Sequence, residues 1–119
     1  MSNVSSEILE YIRQNAGTSF VEIERIFEQN NFDYKGDMAI TSDRYPNLVF
    51  WNGWNKQAID VIDELLYNEL ILQKPTKAIC YYIDGKVLQM PIAQHYRARV
   101  SEHWYPIAFS INKREMAYQ

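Results

Sequence analysis

The sequence predicts an α+β domain on the winged helix-turn-helix plan. Three observations carry that prediction: two short amphipathic helices in tandem, a third helix launched from the aromatic stretch "LVFWNGWN", and an Asp84-Gly85 turn between two β-rich runs. The expected architecture is three helices over a small antiparallel sheet, with the wing hairpin tipped by Asp84-Gly85 and an extended C-terminal segment.

Each element has a local reason. In the first helix, about Ser5 to Gln14, Val4, Ile8 and Ile12 fall at helical spacing beside Leu9, and Glu7 and Glu10 favour the positive N-terminal end. "NAG" closes it, with Gly17 free to adopt the left-handed conformation. Ser19 and Glu22 have capping-box spacing and open the second helix, whose buried stripe is Phe20, Ile23, Ile26 and Phe27. Extended structure is expected around Met38 to Thr41 and from Leu48 to Trp51, with a loop at "SDRYPN". Whether the 36–50 segment forms a rigid hairpin or a loop is left open. The third helix runs from about Asn55 to Asn68 on a core face of Ala58, Ile62, Leu65 and Leu66. "LILQKPTKAICYYIDGKVLQMPIA" reads as the wing hairpin, and Tyr105 to Ile111 as an extended segment docked on the sheet.

With 119 residues the chain predicts one domain, 1–119, divided into a core and wing (1–94) and a basic, aromatic C-terminal extension (95–119). No apolar run is long enough to span a bilayer and the N-terminus does not read as a signal peptide, so a cytoplasmic protein without membrane contact is expected. The single cysteine, Cys80, excludes an internal disulfide and a multi-cysteine zinc site; within "AICYYI" it reads as a buried structural thiol. Charge is unevenly spread. Residues 1–71 carry five Lys/Arg against twelve Asp/Glu, a balance of −7, and residues 72–119 carry seven against three, a balance of +4. Such a chain can offer an acidic face to one partner and a basic face to another.

"YKGDMAI", "LVFWNGWNKQAIDVIDELL" and "HWYPIAFSINK" together resemble small winged-helix proteins of staphylococcal and related phages, pathogenicity islands and cassette elements. The aromatic-Gly-Trp-Asn junction is the most specific part of the resemblance. It implies a role in replication or regulation of a mobile element, or in interference with a competing phage, and it supplies no catalytic residue.

A helix that reads the major groove should offer Arg, Lys, Asn or Gln to bases and phosphates. Only the first turn of the third helix does so, through Asn55, Lys56 and Gln57. Beyond it the exposed positions include Asp60, Asp63, Glu64 and Glu69, which would repel a phosphate backbone. This acidic face reads instead as a protein-docking surface, Asp60, Asp63 and Glu64, with Trp54 as an aromatic anchor at its edge; Trp51, on the apolar strand, reads as core. The cations lie later. Lys74, Lys77 and Lys86 belong to the expected wing, and His95, Arg97 and Arg99 follow it. Tyr81, Tyr82, Tyr96 and Trp104 are interspersed, and Tyr82 is the ring placed on the nucleic-acid face, so the group combines charges for phosphates with rings on which bases stack.

His95 and His103 are eight apart without a spacing suited to a shared metal, and no phosphate loop or nucleophile motif is present, so no enzyme and no cofactor are expected. Three readings remain. The leading one is an accessory factor that touches DNA, with weak sequence specificity or as a single strand, and holds a replication or regulatory protein. The second is a protein-binding modulator without DNA contact. The third is a sequence-specific repressor acting as a homodimer.

Overall fold

The structure is a computed structural model that describes residues 3–113; the rest of the C-terminal extension expected at 95–119, from residue 114 on, lies outside the described residues. It is a mixed α+β fold. Its elements are α1 (Asn3–Gln14), α2 (Phe20–Gln29), β1 (Lys35–Thr41), β2 (Leu48–Trp54), α3 (Lys56–Tyr67), β3 (Ile71–Pro75), α4 (Ala78–Asp84), β4 (His103–Trp104) and β5 (Ile107–Ile111).

The three expected helices form where local chemistry placed them. Gly17 ends the α1 turn at φ +80°. The α2 capping box is complete: the Ser19 side chain accepts from the Glu22 amide and Glu22 returns to the Ser19 amide. The 36–50 segment is part of an antiparallel hairpin of β1 and β2. β4 joins the other edge of β2 in parallel, giving the order β1-β2-β4. The extended segment expected at residues 105–111 docks as β5, antiparallel to β3, and its other edge bridges to Thr18.

The expected wing is not a hairpin. Residues 78–84 form a helix, so the described residues hold four helices, and Gly85 closes the fourth in the left-handed conformation at φ +92°, its amide reaching the Tyr81 and Tyr82 carbonyls. Asp-Gly is a two-residue turn signal between strands, but a glycine after an apolar turn is equally the residue that ends a helix. Tertiary packing decides between them. Tyr81 is fully buried, with its ring against Trp51 and Trp104 at centroid distances of 5.1 and 5.2 Å. Its hydroxyl donates to the Ile107 carbonyl at 2.6 Å and accepts from the Phe20 amide at 3.3 Å. A strand would not aim one ring so deeply while leaving Tyr82 and Ile83 both outside.

The tryptophan junction depends on a bulge. In a regular strand Trp51 and Trp54, three residues apart, would point to opposite faces. Gly53 sits at φ +84° and drops out of register, since Met38 pairs with Trp54 while Ala39 pairs with Asn52. The extra residue returns Trp54 to the face of Trp51. Both rings then pack around Phe20, Trp51 stacked at 5.8 Å and Trp54 edge-on at 5.5 Å.

Candidate binding surfaces

The residues singled out on the sequence divide into those the fold uses internally and those it leaves on the surface. At the centre of the first group is Glu24 of α2, only 4% exposed. Its Oε2 accepts from the indole nitrogens of Trp51 at 2.9 Å and Trp54 at 2.8 Å, and its Oε1 accepts from Lys86 Nζ at 2.7 Å. A buried carboxylate needs such partners, because its lone pairs have lost water. Trp54 is therefore fully buried and cannot serve as the exposed anchor expected at the edge of the acidic face; Trp51 is core, as read.

Lys86, expected on a wing, is committed to Glu24 and lies 5.9 Å from the Trp51 ring centroid. Asn55 is also spoken for. It is the N-cap of α3, its Oδ1 accepting from the Ala58 amide at 2.9 Å while its Nδ2 donates to the Asp33 carbonyl at 2.8 Å. Capping satisfies an orphan helix donor, so this side chain is not available to a base edge. Lys56 pairs with Asp60 one turn on, at 2.9 Å, and this hydrogen bond raises the lysine's pKa. Of that first turn, Gln57 is exposed and takes no part in these contacts. Cys80 is exposed rather than buried, because a helix, not a strand, carries it and turns Tyr81 inward in its place.

Two surfaces remain. The first is the outer stripe of α3, where Asp60, Asp63 and Glu64 are exposed and Tyr67, 87% exposed, ends the row. Residues three and four apart share a helix face, so these four form one strip. Burial, followed by the charges of Asp60 and Asp43, raises the pKa of Asp63, so a cation arriving there would relieve a repulsion.

The second surface went unread on the sequence. Phe50, Tyr96 and Tyr105 line a depression of about 370 Å³ beside Gln73 and Pro75 of β3. It continues at one end past Asp43, Arg44 and Asp63, and at the other past Lys77, Ile92 and Gln94. Tyr96 stacks edge-on with Tyr45 at 4.9 Å and lies 5.6 Å from Tyr105, and Arg44 covers Tyr45 at 5.3 Å. Tyr96 donates to or accepts from Ser42 at 2.6 Å, and Asn47 donates to the Arg99 carbonyl at 2.8 Å, which fixes the loop carrying both to the β1–β2 turn. No local signal joins these residues, since they come from distant parts of the chain and meet only after folding.

Of the expected cations, Lys74, Lys77 and Arg97 are exposed, as are His95 and the Tyr82 ring; Arg99 is half-buried and Trp104 is core. The structure brings Lys77 to the groove and leaves Tyr82 on the outer face of α4. Among the described residues no group of three His, Cys, Asp or Glu could hold a metal, and no helix is long and apolar enough to cross a membrane. Comparison of the chain with protein-family models, curated proteins and solved structures finds no match.

Proposed function

We propose that this chain is a non-catalytic protein-binding module of a mobile genetic element, a modulator whose acidic α3 strip docks a basic surface on a replication or regulatory protein in the cytoplasm. The observation that carries the reading is the strip itself: Asp63, Glu64 and Tyr67 stand exposed beside the Asp60–Lys56 pair, on the helix that a DNA reader would present to bases. The division of labour around it agrees, because Asn55 and Lys86 are engaged in holding the fold and Lys56 is paired with Asp60. The domain is then a derivative of the winged-helix plan in which α4 occupies the place of the wing. The mobile-element assignment rests on the resemblance of the tryptophan junction and its flanking segments.

A second reading keeps the DNA contact. Tyr96 and Arg97 share one exposed loop, and Arg44 covers a tyrosine beside it, a combination suited to a single strand that stacks bases and pairs phosphates. Fluorescence anisotropy of labelled single- and double-stranded DNA at low and near-physiological salt separates the two. Protein docking predicts no saturable DNA binding at either salt, together with capture of a partner that Asp63→Lys/Glu64→Lys abolishes. Binding that fades steeply with salt and with Lys77→Ala/Arg97→Ala would overturn the protein-only reading in favour of the second.

A further inference from the structure

We propose that the free edge of β3 takes up an extended peptide segment, with its apolar side chains in the Phe50–Tyr96–Tyr105 groove, a basic residue at the Asp43–Asp63 end and an acidic residue at the Lys77 end. The inference rests on the protein-binding reading and names the chemistry of what binds.

The hydrogen-bond pattern identifies the edge. β3 and β5 pair Ile71 with Ile111 through Pro75 with Ile107. The Asn112 amide donates to the Leu70 carbonyl and the Thr76 amide to the Pro106 carbonyl, so in this antiparallel ladder it is the even-numbered residues of β3 that bond to β5. The odd-numbered residues, Ile71, Gln73 and Pro75, turn their backbone groups the other way. The same alternation on β5 is confirmed at Phe109, whose amide and carbonyl exchange bonds with Thr18 on the outer side. Proline at 75 has no amide to leave unpaired, and the donor turned outward at the middle of the strand is that of Gln73. Among the described residues no strand lies on this side of β3.

An unpaired edge is a template for strand addition, and natural folds blunt or cover such edges unless they use them. Here the edge borders an apolar trough instead of charge. Tyr96, 47% exposed, lines it together with the buried Phe50 and the half-buried Tyr105. An added strand sends every second side chain toward that trough while its backbone pairs with Gln73. Charge sets the occupant's polarity. Beyond Gln73 stand Asp43 and Asp63, with Arg44 drawn onto Tyr45; beyond Pro75 stands Lys77.

The test selects a displayed library of peptides about eight residues long on the full chain, then measures a fluorescein-labelled copy of the enriched peptide by anisotropy. The expected sequences alternate apolar with polar residues between a Lys or Arg at one end and an Asp or Glu at the other. Gln73→Pro removes the outward donor without touching a β3–β5 bond and should weaken the peptide about tenfold. Tyr96→Ala should also weaken it, and the Gln73 amide of the wild type should exchange more slowly with peptide bound. No enrichment, or a peptide insensitive to Gln73→Pro with unchanged Gln73 exchange, overturns the edge proposal. If such a peptide instead responds to Glu64→Lys alone, the edge proposal fails while docking on α3 stands.

Discussion

Removing the carboxylate of Glu24 should cost far more than removing its charge. Glu24→Ala leaves the Trp51 and Trp54 indole donors, now held at 2.9 and 2.8 Å, without an acceptor in a fully buried site. An unsatisfied buried donor costs about 1–3 kcal/mol, so two of them together with lost packing place Glu24→Ala at roughly 3–6 kcal/mol. Glu24→Gln keeps one oxygen for both indoles and turns an amide toward Lys86, whose side chain is 52% exposed and can move into water. That exposure discounts the ion pair, and the loss should be about 1–2 kcal/mol. Against a total stability of about 5–15 kcal/mol, the alanine variant should be marginal and the glutamine variant folded. Urea denaturation followed by tryptophan fluorescence and circular dichroism reads both. An alanine variant within about 1 kcal/mol of wild type, or a glutamine variant as unstable as the alanine one, would refute the indole-acceptor argument.

Two further perturbations follow from the fold. Gly36→Ala places a methyl 2.7 Å from the Trp54 carbonyl oxygen and the Asn55 Cα, both backbone, and should cost roughly 1–3 kcal/mol in the same denaturation assay, although the position looks exposed. Alkaline pH should unfold the domain through its tyrosines. The Tyr11 hydroxyl is pushed up to about 12 by its hydrogen bond to Glu22 and then by burial, and Tyr34 and Tyr81 are raised by burial first. The folded state holds these protons more tightly than the unfolded chain, where tyrosine titrates near about 10. Their contribution is thus complete below about pH 10; that of Tyr11 is lost as pH rises through about 12, and that of Tyr34 and Tyr81 at higher pH still. Tyrosinate absorbance should therefore show a late-ionising class that appears together with loss of circular dichroism; uniform ionisation near pH 10 with the fold intact would contradict it.

What could be read from the sequence was what local chemistry decides. The α2 capping box, the Gly17 stop and the core faces of the first three helices each rest on residues within a few positions of one another. The placement of residues 105–111 as an added strand was also legible from one apolar run. Asp84-Gly85 was ambiguous in itself, and only the burial of Tyr81 between two tryptophans decides for a helix. Trp54 was misplaced because the strand was expected to end at Trp51, whereas a bulge at Gly53, a residue type at which bulges occur, carries it on to Trp54. The groove was illegible for a different reason: Tyr45, Phe50, Gln73, Tyr96 and Tyr105 have no spacing in common, and their proximity is a property of topology alone.

The Glu24 clip also bears on how the domain is made. A ribosome delivers Glu24 and both tryptophans well before Lys86, and β5, which closes β3 and reaches Thr18, comes later still. Until then a nascent chain carries a Glu24 carboxylate without its lysine and a β3 strand with both edges open. The β3–β5 ladder, the Thr18 bridge and the Lys86–Glu24 ion pair therefore all wait on the last part of the described chain, while the β1–β2 hairpin and the first three helices are delivered before it.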